Sequence, residues 1–548
     1  MLILSLILYL LSCAVNLKKD LSILYSRVLF FILFNCSLLS YNVLYIDSLN
    51  KGLSIFGGLF TITFLNSNFS LFVLLLSIVI VLLNTHYPRK YLKWVFANIY
   101  SNYTSNIFKY SKISNTMSEQ YIILEYTLII LFVIIGGIFL MASSDIISIF
   151  LSIELQSYGL YILCAAYRNS ESSTSASLTY FLLGALASSF ILLSTSLVYA
   201  NSGCTSLENI YIISNISENI TKIDMSNNII WYDAYYLYIS LIILSIGFLF
   251  KISASPFHFW SPDVYDAVPT IVTTFISILP KITILIFMLD IVTHINKNFY
   301  IYNWTSIFIM SSMLSLIIGT VLGLTQTRIK RLFAYSTISH IGFLLLCLSI
   351  ESRESIQAFV FYLMQYSLSN LNAFFILITI GYSLYMYEYK DDRNYKRTGT
   401  INEKEINNSP IQLIDQLKGY FYINPIISLS LAITLFSFAG IPPLIGFFAK
   451  LMVLSASIAS GYVFMSLVAI LTSVIGGVYY LAIIKQMFFD NPVYKLTSPS
   501  NINIKNIMLS SSLTITISVL TTIVLLFISI PTESLNFVSI ISMVLLKY

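Results

Sequence analysis

Apolar residues in this chain arrive in runs of about 20, the length a helix needs to cross a hydrocarbon slab roughly 30 Å thick. Fourteen such segments lie near 1–17, 28–47, 54–83, 121–142, 146–166, 176–200, 235–257, 268–290, 304–324, 331–350, 356–386, 423–454, 462–489 and 507–530. Inside lipid the backbone must satisfy its own hydrogen bonds, and a helix does so within one segment. The pattern therefore predicts an all-α, polytopic membrane protein with about 14 transmembrane helices. Two stretches fit least well: 54–83, interrupted by Asn66, Ser67 and Asn68, and 250–270, rich in proline and polar residues. The polar tracts 84–120 and 387–422 read as solvated loops.

Composition narrows the class. Of the 548 residues 57% are hydrophobic and 10% charged, against about 25% charged in an ordinary soluble chain. That excludes a disordered chain, a nucleic-acid binder and an ordinary cytosolic enzyme. Phe and Tyr number 39 each against 20 Gly and 12 Pro, and Phe, Tyr, Ile and Asn have A/T-rich codons, so an organellar gene is expected. The chain is apolar from Met1 onward, with no Arg-rich amphipathic leader, so its first segment reads as a retained helix. The five cysteines are scattered without a CxxC or a histidine at ligand spacing, which predicts no metal or iron–sulfur centre. No glycine-rich nucleotide fingerprint is present.

The net charge of +5 matters less than its distribution. Twenty Lys and Arg fall in one set of alternate loops, among them Arg89, Lys90, Arg328, Lys330, Arg331 and Lys396, and five fall in the other. The positive-inside rule puts the N-terminus outside and both long loops inside. An incorrect span count would scramble that bias.

Four lysines remain within apolar segments: Lys251, Lys281, Lys450 and Lys485. Lys485, near the end of its span, reads as snorkelling to the interface. Each of the other three costs roughly 2.5–3.5 kcal/mol near a helix centre without partners. Glu154 is the matching acid. It lies nine residues past Asp145, the expected helix start, so about 13.5 Å into the slab. Such a pair either merely holds two helices together or forms part of an ion pathway, and intramembrane ionisable residues usually mark pathways. Lys281 lies 12 residues after Pro269 and nine before Asp290, again near mid-span, beside Pro280. Burial favours the neutral form of a lysine and a carboxylate the charged form, so a lysine with a removable partner is a switchable proton carrier. His340, nine residues past Arg331, is similarly deep. It reads either as a satisfied core histidine or as a proton shuttle. His258 is a secondary candidate, and His86 and His294 read as loop residues.

Lys251 and Lys450 each sit beside a proline-broken segment, Ser253-Ala-Ser-Pro256-Phe-His258 and Gly440-Ile-Pro442-Pro443. Paired broken spans in two halves point to an inverted repeat with a site at mid-membrane. Spans 4–8 and 9–13 form the two halves, with spans 7 and 12 broken. The expected organisation is three spans and a basic loop over 1–120, a first five-helix repeat over 121–295, a second over 296–490, and a last span with a tail over 491–548. The match is imperfect, because Lys251 precedes its proline by five residues while Lys450 follows Pro443 by seven.

Four stretches carry a resemblance to a known family. They are Ser152-Ile-Glu154-Leu-Gln-Ser-Tyr-Gly-Leu-Tyr, Phe250-Lys251-Ile-Ser-Ala-Ser-Pro256-Phe-His258-Phe-Trp260-Ser-Pro-Asp263-Val-Tyr, Lys330-Arg-Leu-Phe-Ala-Tyr-Ser-Thr-Ile-Ser-His340-Ile-Gly342 and Gly440-Ile-Pro-Pro-Leu-Ile-Gly-Phe-Phe-Ala-Lys450. Over about residues 1–530 the chain resembles the antiporter-like subunits of respiratory complex I. The resemblance implies a pair between Glu154 and Lys251, a connecting role for Lys281, an axial role for His340 and an exit-side role for Lys450. It implies a subunit of a proton-translocating NADH:ubiquinone reductase in the mitochondrial inner membrane, with its N-terminus on the intermembrane-space side. No cofactor is expected on this chain, since NADH, FMN, iron–sulfur clusters and ubiquinone would bind elsewhere in the complex. Expected partners are other membrane-arm subunits, including neighbouring antiporter-like ones, and membrane lipids, with no nucleic acid. The three N-terminal spans imply a non-animal, fungal-type source. The alternative within the same fold is a subunit of a multisubunit cation/proton antiporter.

Overall fold

The computed structural model describes residues 2–15, 22–46, 52–101, 125–167, 170–213, 234–294, 304–384, 387–389, 411–491, 494–496, 511–529 and 531–547. Each of the fourteen predicted segments contains a helix. The first three are α1 (Leu2–Val15), α2 (Ser22–Val43) and α3 (Phe64–Ser101). The next five segments give α4 (Glu125–Ala142), α5 (Ile146–Ala165), α6 (Glu171–Ser202), the pair α7 (Ala234–Ile252) and α8 (Trp260–Ala267), and α9 (Thr270–His294). The following five give α10 (Ser306–Leu324), α11 (Ile329–Ile350), α12 (Arg353–Leu384), the pair α13 (Pro425–Ala439) and α14 (Ile445–Ala459), and α15 (Val463–Phe488). The last gives α16 (Ser511–Leu526), and α17 (Pro531–Lys547) follows it. Among the described residues nine helices are long and apolar enough to cross a membrane alone, and the pair α16–α17 makes a tenth. Spans 7 and 12 are each cut by a break, which leaves α13 and α14 at 15 residues each.

Several boundaries differ from expectation. The segment 54–83 does not start as a helix. β1 (Leu53–Ile55) and β2 (Phe60–Ile62) form an antiparallel hairpin, with Leu53 opposite Ile62. The helix that follows runs on to Ser101, through residues that read as the start of a polar loop. Asn66 and Asn68, the interruptions in that segment, return their amides to carbonyls, Asn66 to Thr61 O in β2 and Asn68 to Phe64 O one turn back, and so cost the helix little. The rest of the 84–120 tract lies outside the described residues. In the 387–422 tract, β3 (Tyr387–Tyr389) pairs with β4 (Tyr494–Leu496). Residues near Leu413 pair with the chain entering α11, through Ile329 N–H to Gln412 O at 3.0 Å and Ile414 N–H to Thr327 O at 3.0 Å. The expected tail after residue 530 is the helix α17.

The core is organised around α9. It is buried along nearly its whole length, as a predominantly apolar helix at the middle of a bundle must be. It packs against α3, α4, α5, α7, α11 and α12, so Lys281 on α9 lies at the centre of the molecule.

The two halves repeat each other's packing. In the first, α4 packs on α5 and α9, α5 on α6, and α6 on both α7 and α8. In the second, α10 packs on α11 and α15, α11 on α12, and α12 on both α13 and α14. The close contacts match in register. A Cβ on Gly136 would meet Gln156 N at 2.8 Å and Ser152 O at 3.1 Å. One on Gly319 would meet Ser339 N at 2.8 Å and Tyr335 O at 2.9 Å. The register makes Thr337 the counterpart of Glu154.

Both glycines let backbones approach as no other residue does. Gly136→Ala forces the α4–α5 pair apart and lowers stability by about 1–3 kcal/mol, the usual cost of overpacking. Gly477→Ala in α15, where a Cβ would meet nothing within 4 Å, is neutral or slightly stabilising, because alanine is the better helix former. Thermal unfolding of the detergent-solubilised protein separates the two.

Candidate functional site

Glu154 is presented by α5. The helix starts where it was expected to, with Asp145 as N-cap donating its N–H to Ser148 Oγ at 3.3 Å. Two and a half turns further on, Glu154 is buried, with Ser157 Oγ 3.4 Å from its Oε2. Lys251 comes from the end of α7. Its Nζ stands 3.7 Å from Glu154 Oε1 and donates to Tyr161 Oη at 3.2 Å. The predicted pair therefore exists. Its geometry is loose for a structural ion pair, and among the described residues Glu154 Oε1 accepts no hydrogen bond. A buried pair that only fastens helices gains most when short and fully hydrogen-bonded.

The break after α7 is built locally. Ser253 takes φ +67°, a left-handed conformation costing a serine about 1–2 kcal/mol. Ala254 N–H closes the helix end on Leu249 O at 3.0 Å, and the Trp260 indole N–H satisfies Phe250 O at 3.0 Å. The strained serine is also a ligand: Lys281 Nζ donates to Ser253 Oγ at 3.0 Å and to Thr337 Oγ1 at 3.3 Å. The Tyr265 ring on α8 lies 5.4 Å from the same ammonium, a cation–π distance. Lys281 thus has one ligand from each half of the molecule. Among the described residues it has no carboxylate partner.

His340 sits one turn beyond Thr337 on α11. Its Nδ1 is 2.7 Å from Tyr362 Oη and its Nε2 3.5 Å from Tyr480 Oη. The Phe438 ring is 5.2 Å away. Lys450 lies in α14 and turns back across its own break, donating to Phe438 O and Ala439 O at 2.9 Å each. These are the last carbonyls of α13, the negative end of that helix's dipole. Gly440 has φ +82°, and a Cβ there would come within 2.9 Å of the lysine stem.

Glu154 and Lys251 are therefore brought together, while Lys281, His340 and Lys450 each have their own set of polar partners in the interior. The equivalence expected between Lys251 and Lys450 is only approximate: Lys251 pairs with an acid on a neighbouring helix, Lys450 with carbonyls of its own span. His258 stands apart. It is buried beside Phe259, and its ring is 6.4 Å from that of Tyr335. His294 binds back to Asp290 O at 2.8 Å at the end of α9. Lys485 is exposed, as snorkelling requires.

Sequence reasoning missed several members. Thr337 carried a signal, since it lies three residues before His340 and so on the same helix face. Ser253, Tyr362 and Tyr480 carried none, because their roles depend on helices distant in sequence. Lys330 is a correction. It was counted among the loop charges, yet it is buried in the first turn of α11, with Nζ donating to Val268 O at 2.7 Å.

The transmembrane family described as NADH:quinone oxidoreductase/Mrp antiporter matches residues 143–476. The NADH-ubiquinone oxidoreductase chain 2 of Rhizopus oryzae is 42% identical over 545 residues, 95% of each chain. That of Marchantia polymorpha is 35% identical over 370 residues, 67% of this chain and 68% of its own. Among solved structures, a chain of Thermus thermophilus respiratory complex I has TM-score 0.67 at 21% identity, covering 98% of this chain and 99% of that one. A chain of the Mrp complex from Dietzia sp. has TM-score 0.70 at 16% identity, covering 100% and 97%. This chain belongs to the NADH:quinone oxidoreductase/Mrp antiporter family of membrane subunits, and within it to the group of NADH-ubiquinone oxidoreductase chain 2 proteins.

Proposed function

We propose that this chain translocates protons in the membrane arm of respiratory complex I, through a relay of Glu154, Lys251, Lys281, His340 and Lys450. The observation that carries the reading is the loose Glu154–Lys251 pair at 3.7 Å, next to a broken helix that also supplies a ligand to Lys281. NADH oxidation and quinone reduction occur on other subunits, and no redox cofactor binds here. Their energy reaches this chain as an electrical or conformational push that parts Glu154 from Lys251. The freed charge on Lys251 repels the proton on Lys281, which leaves toward Thr337 and His340. Tyr362 and Tyr480 hold the imidazole ring between them, and Lys450 receives the proton and delivers it to the exit side. Water bridges the gaps that side chains do not span.

The surrounding assignments belong to the same reading. The repeats are 121–295 and 296–490, flanked by 1–120 and 491–548. The chain lies in the mitochondrial inner membrane, organelle-encoded, with its N-terminus facing the intermembrane space. It packs against neighbouring antiporter-like and other membrane-arm subunits and against lipid. Relatives named as NADH-ubiquinone or NADH-quinone oxidoreductase subunits, at 31–42% identity, favour this over the second reading. That reading, a cation/proton antiporter subunit, has in its favour the fold shared with the Mrp complex.

Three outcomes follow. On a native gel of solubilised organelle membranes, the chain runs in a very large band that stains for NADH dehydrogenase activity. Recovery only from a small complex without that activity would promote the antiporter reading. Lys281→Met leaves assembly intact and slows proton movement through this subunit by about tenfold or more, as an added barrier of about 1.4 kcal/mol or above requires, so the protons moved per NADH fall. Wild-type pumping in sealed vesicles carrying this variant would defeat the relay. Proton transport by the parent complex shows no dependence on sodium, whereas an antiporter subunit would require it.

A further inference from the structure

The first turn of α11 carries Arg328 at its N-cap, then Lys330 and Arg331. Cations at a helix N-terminus oppose the helix dipole, at roughly 0.3–1 kcal/mol each. What holds them there is α8, the second half of broken span 7. Arg328 Nη1 reaches Asp266 Oδ2 at 2.6 Å, and Arg331 Nε reaches the same oxygen at 3.1 Å. Arg331 Nη2 reaches Asp263 Oδ1 at 3.1 Å. Lys330 holds Val268 O, at the end of α8, as described above. Asp266 is the centre of this clamp: its side chain is 7% exposed and takes two guanidinium groups.

The other face of α8 points inward. Tyr265, beside Asp266, is fully buried with its ring against the Lys281 ammonium. α11 brings Thr337 to that ammonium and His340 beyond it. The clamp therefore ties together the two helices that flank Lys281, one from each repeat.

We propose that Asp266 is a positioning residue that locks α8 to the first turn of α11 and thereby holds Tyr265 and Thr337 in register on Lys281. The inference rests on the relay reading above. Movement of the broken span passes through the clamp into the second half of the molecule, so the clamp transmits the separation of Glu154 from Lys251. The arginines are about 40% exposed, so water re-solvates them when Asp266 is removed. The fold survives and the register does not.

The test is made in the assembled complex, in sealed vesicles, reading protons translocated per NADH oxidised alongside uncoupled NADH:ubiquinone turnover. Asp266→Asn assembles normally on a native gel, keeps uncoupled turnover, and lowers the proton ratio about twofold or more, the scale on which residues in a coupling network act. Asp266→Glu, which keeps both arginines, restores most of the ratio. Arg331→Gln, which leaves Arg328 on Asp266, gives a smaller loss. Asp415→Asn, which breaks only the exposed Asp415–Lys418 pair, changes nothing. A wild-type ratio in Asp266→Asn, or no rescue by Asp266→Glu, overturns the proposal. So does loss of assembly in both Asp266→Asn and Arg331→Gln, which would make the clamp purely structural. Lys281→Met in the same vesicles separates the failures. If it also pumps normally, the relay has fallen; if it does not pump and Asp266→Asn does, only the clamp has.

Discussion

Charge inside hydrocarbon is the constraint on which the rest of this structure depends. Three lysines at span depth, each costing roughly 2.5–3.5 kcal/mol if unpaired, must be met by partners supplied from the surrounding helices. The chain meets them in three different ways. Lys251 takes a carboxylate and a tyrosine, Lys281 takes two hydroxyls and an aromatic face, and Lys450 takes the open carbonyls of a helix end. None of these is a short, saturated ion pair.

The broken spans follow from the same constraint. A continuous helix offers no free carbonyls and no kinked hydroxyl at mid-membrane. Interrupting the spans at Ser253 and Gly440 exposes backbone that must then be covered by protein. At the first break the Trp260 indole takes one of the freed carbonyls, and at the second Lys450 takes two. Backbone repair and charge accommodation are therefore one arrangement, and the glycine contact at Gly440 leaves no room for a side chain beside the lysine stem. The two halves each carry a break, with different chemistry: the register that puts Glu154 in the first half puts Thr337 in the second. The threonine serves a lysine from the opposite half, which links the repeats through Lys281.

Much was legible in advance because the bilayer makes sequence and structure nearly collinear. A long apolar run has one stable fate, so the helices and the span of each buried charge followed from hydropathy and a rise of about 1.5 Å per residue. Where the bilayer does not dictate, the reading weakened. The hairpin at 53–62, the extension of α3 to Ser101 and the helix after residue 530 are at span ends, where short polar or mixed segments have several acceptable conformations. Lys330 misled because position near a span end suggests solvent, while its actual burial depends on a carbonyl contributed from residue 268.

By itself, then, the sequence determined the all-helical membrane class, the two breaks, and that ionisable residues lie within apolar segments, since each follows from local pattern set against a fixed slab thickness. Only the tertiary structure decided which groups meet them. Tyr161, Ser253, Thr337, Tyr362 and the clamp of Asp266 with Arg328 and Arg331 join positions 22 to 90 residues apart. Hydroxyl and guanidinium partners acquire their roles from the azimuth at which helices pack. That angle is set by side-chain interdigitation and close glycine contacts across the bundle, which no periodicity along one helix encodes.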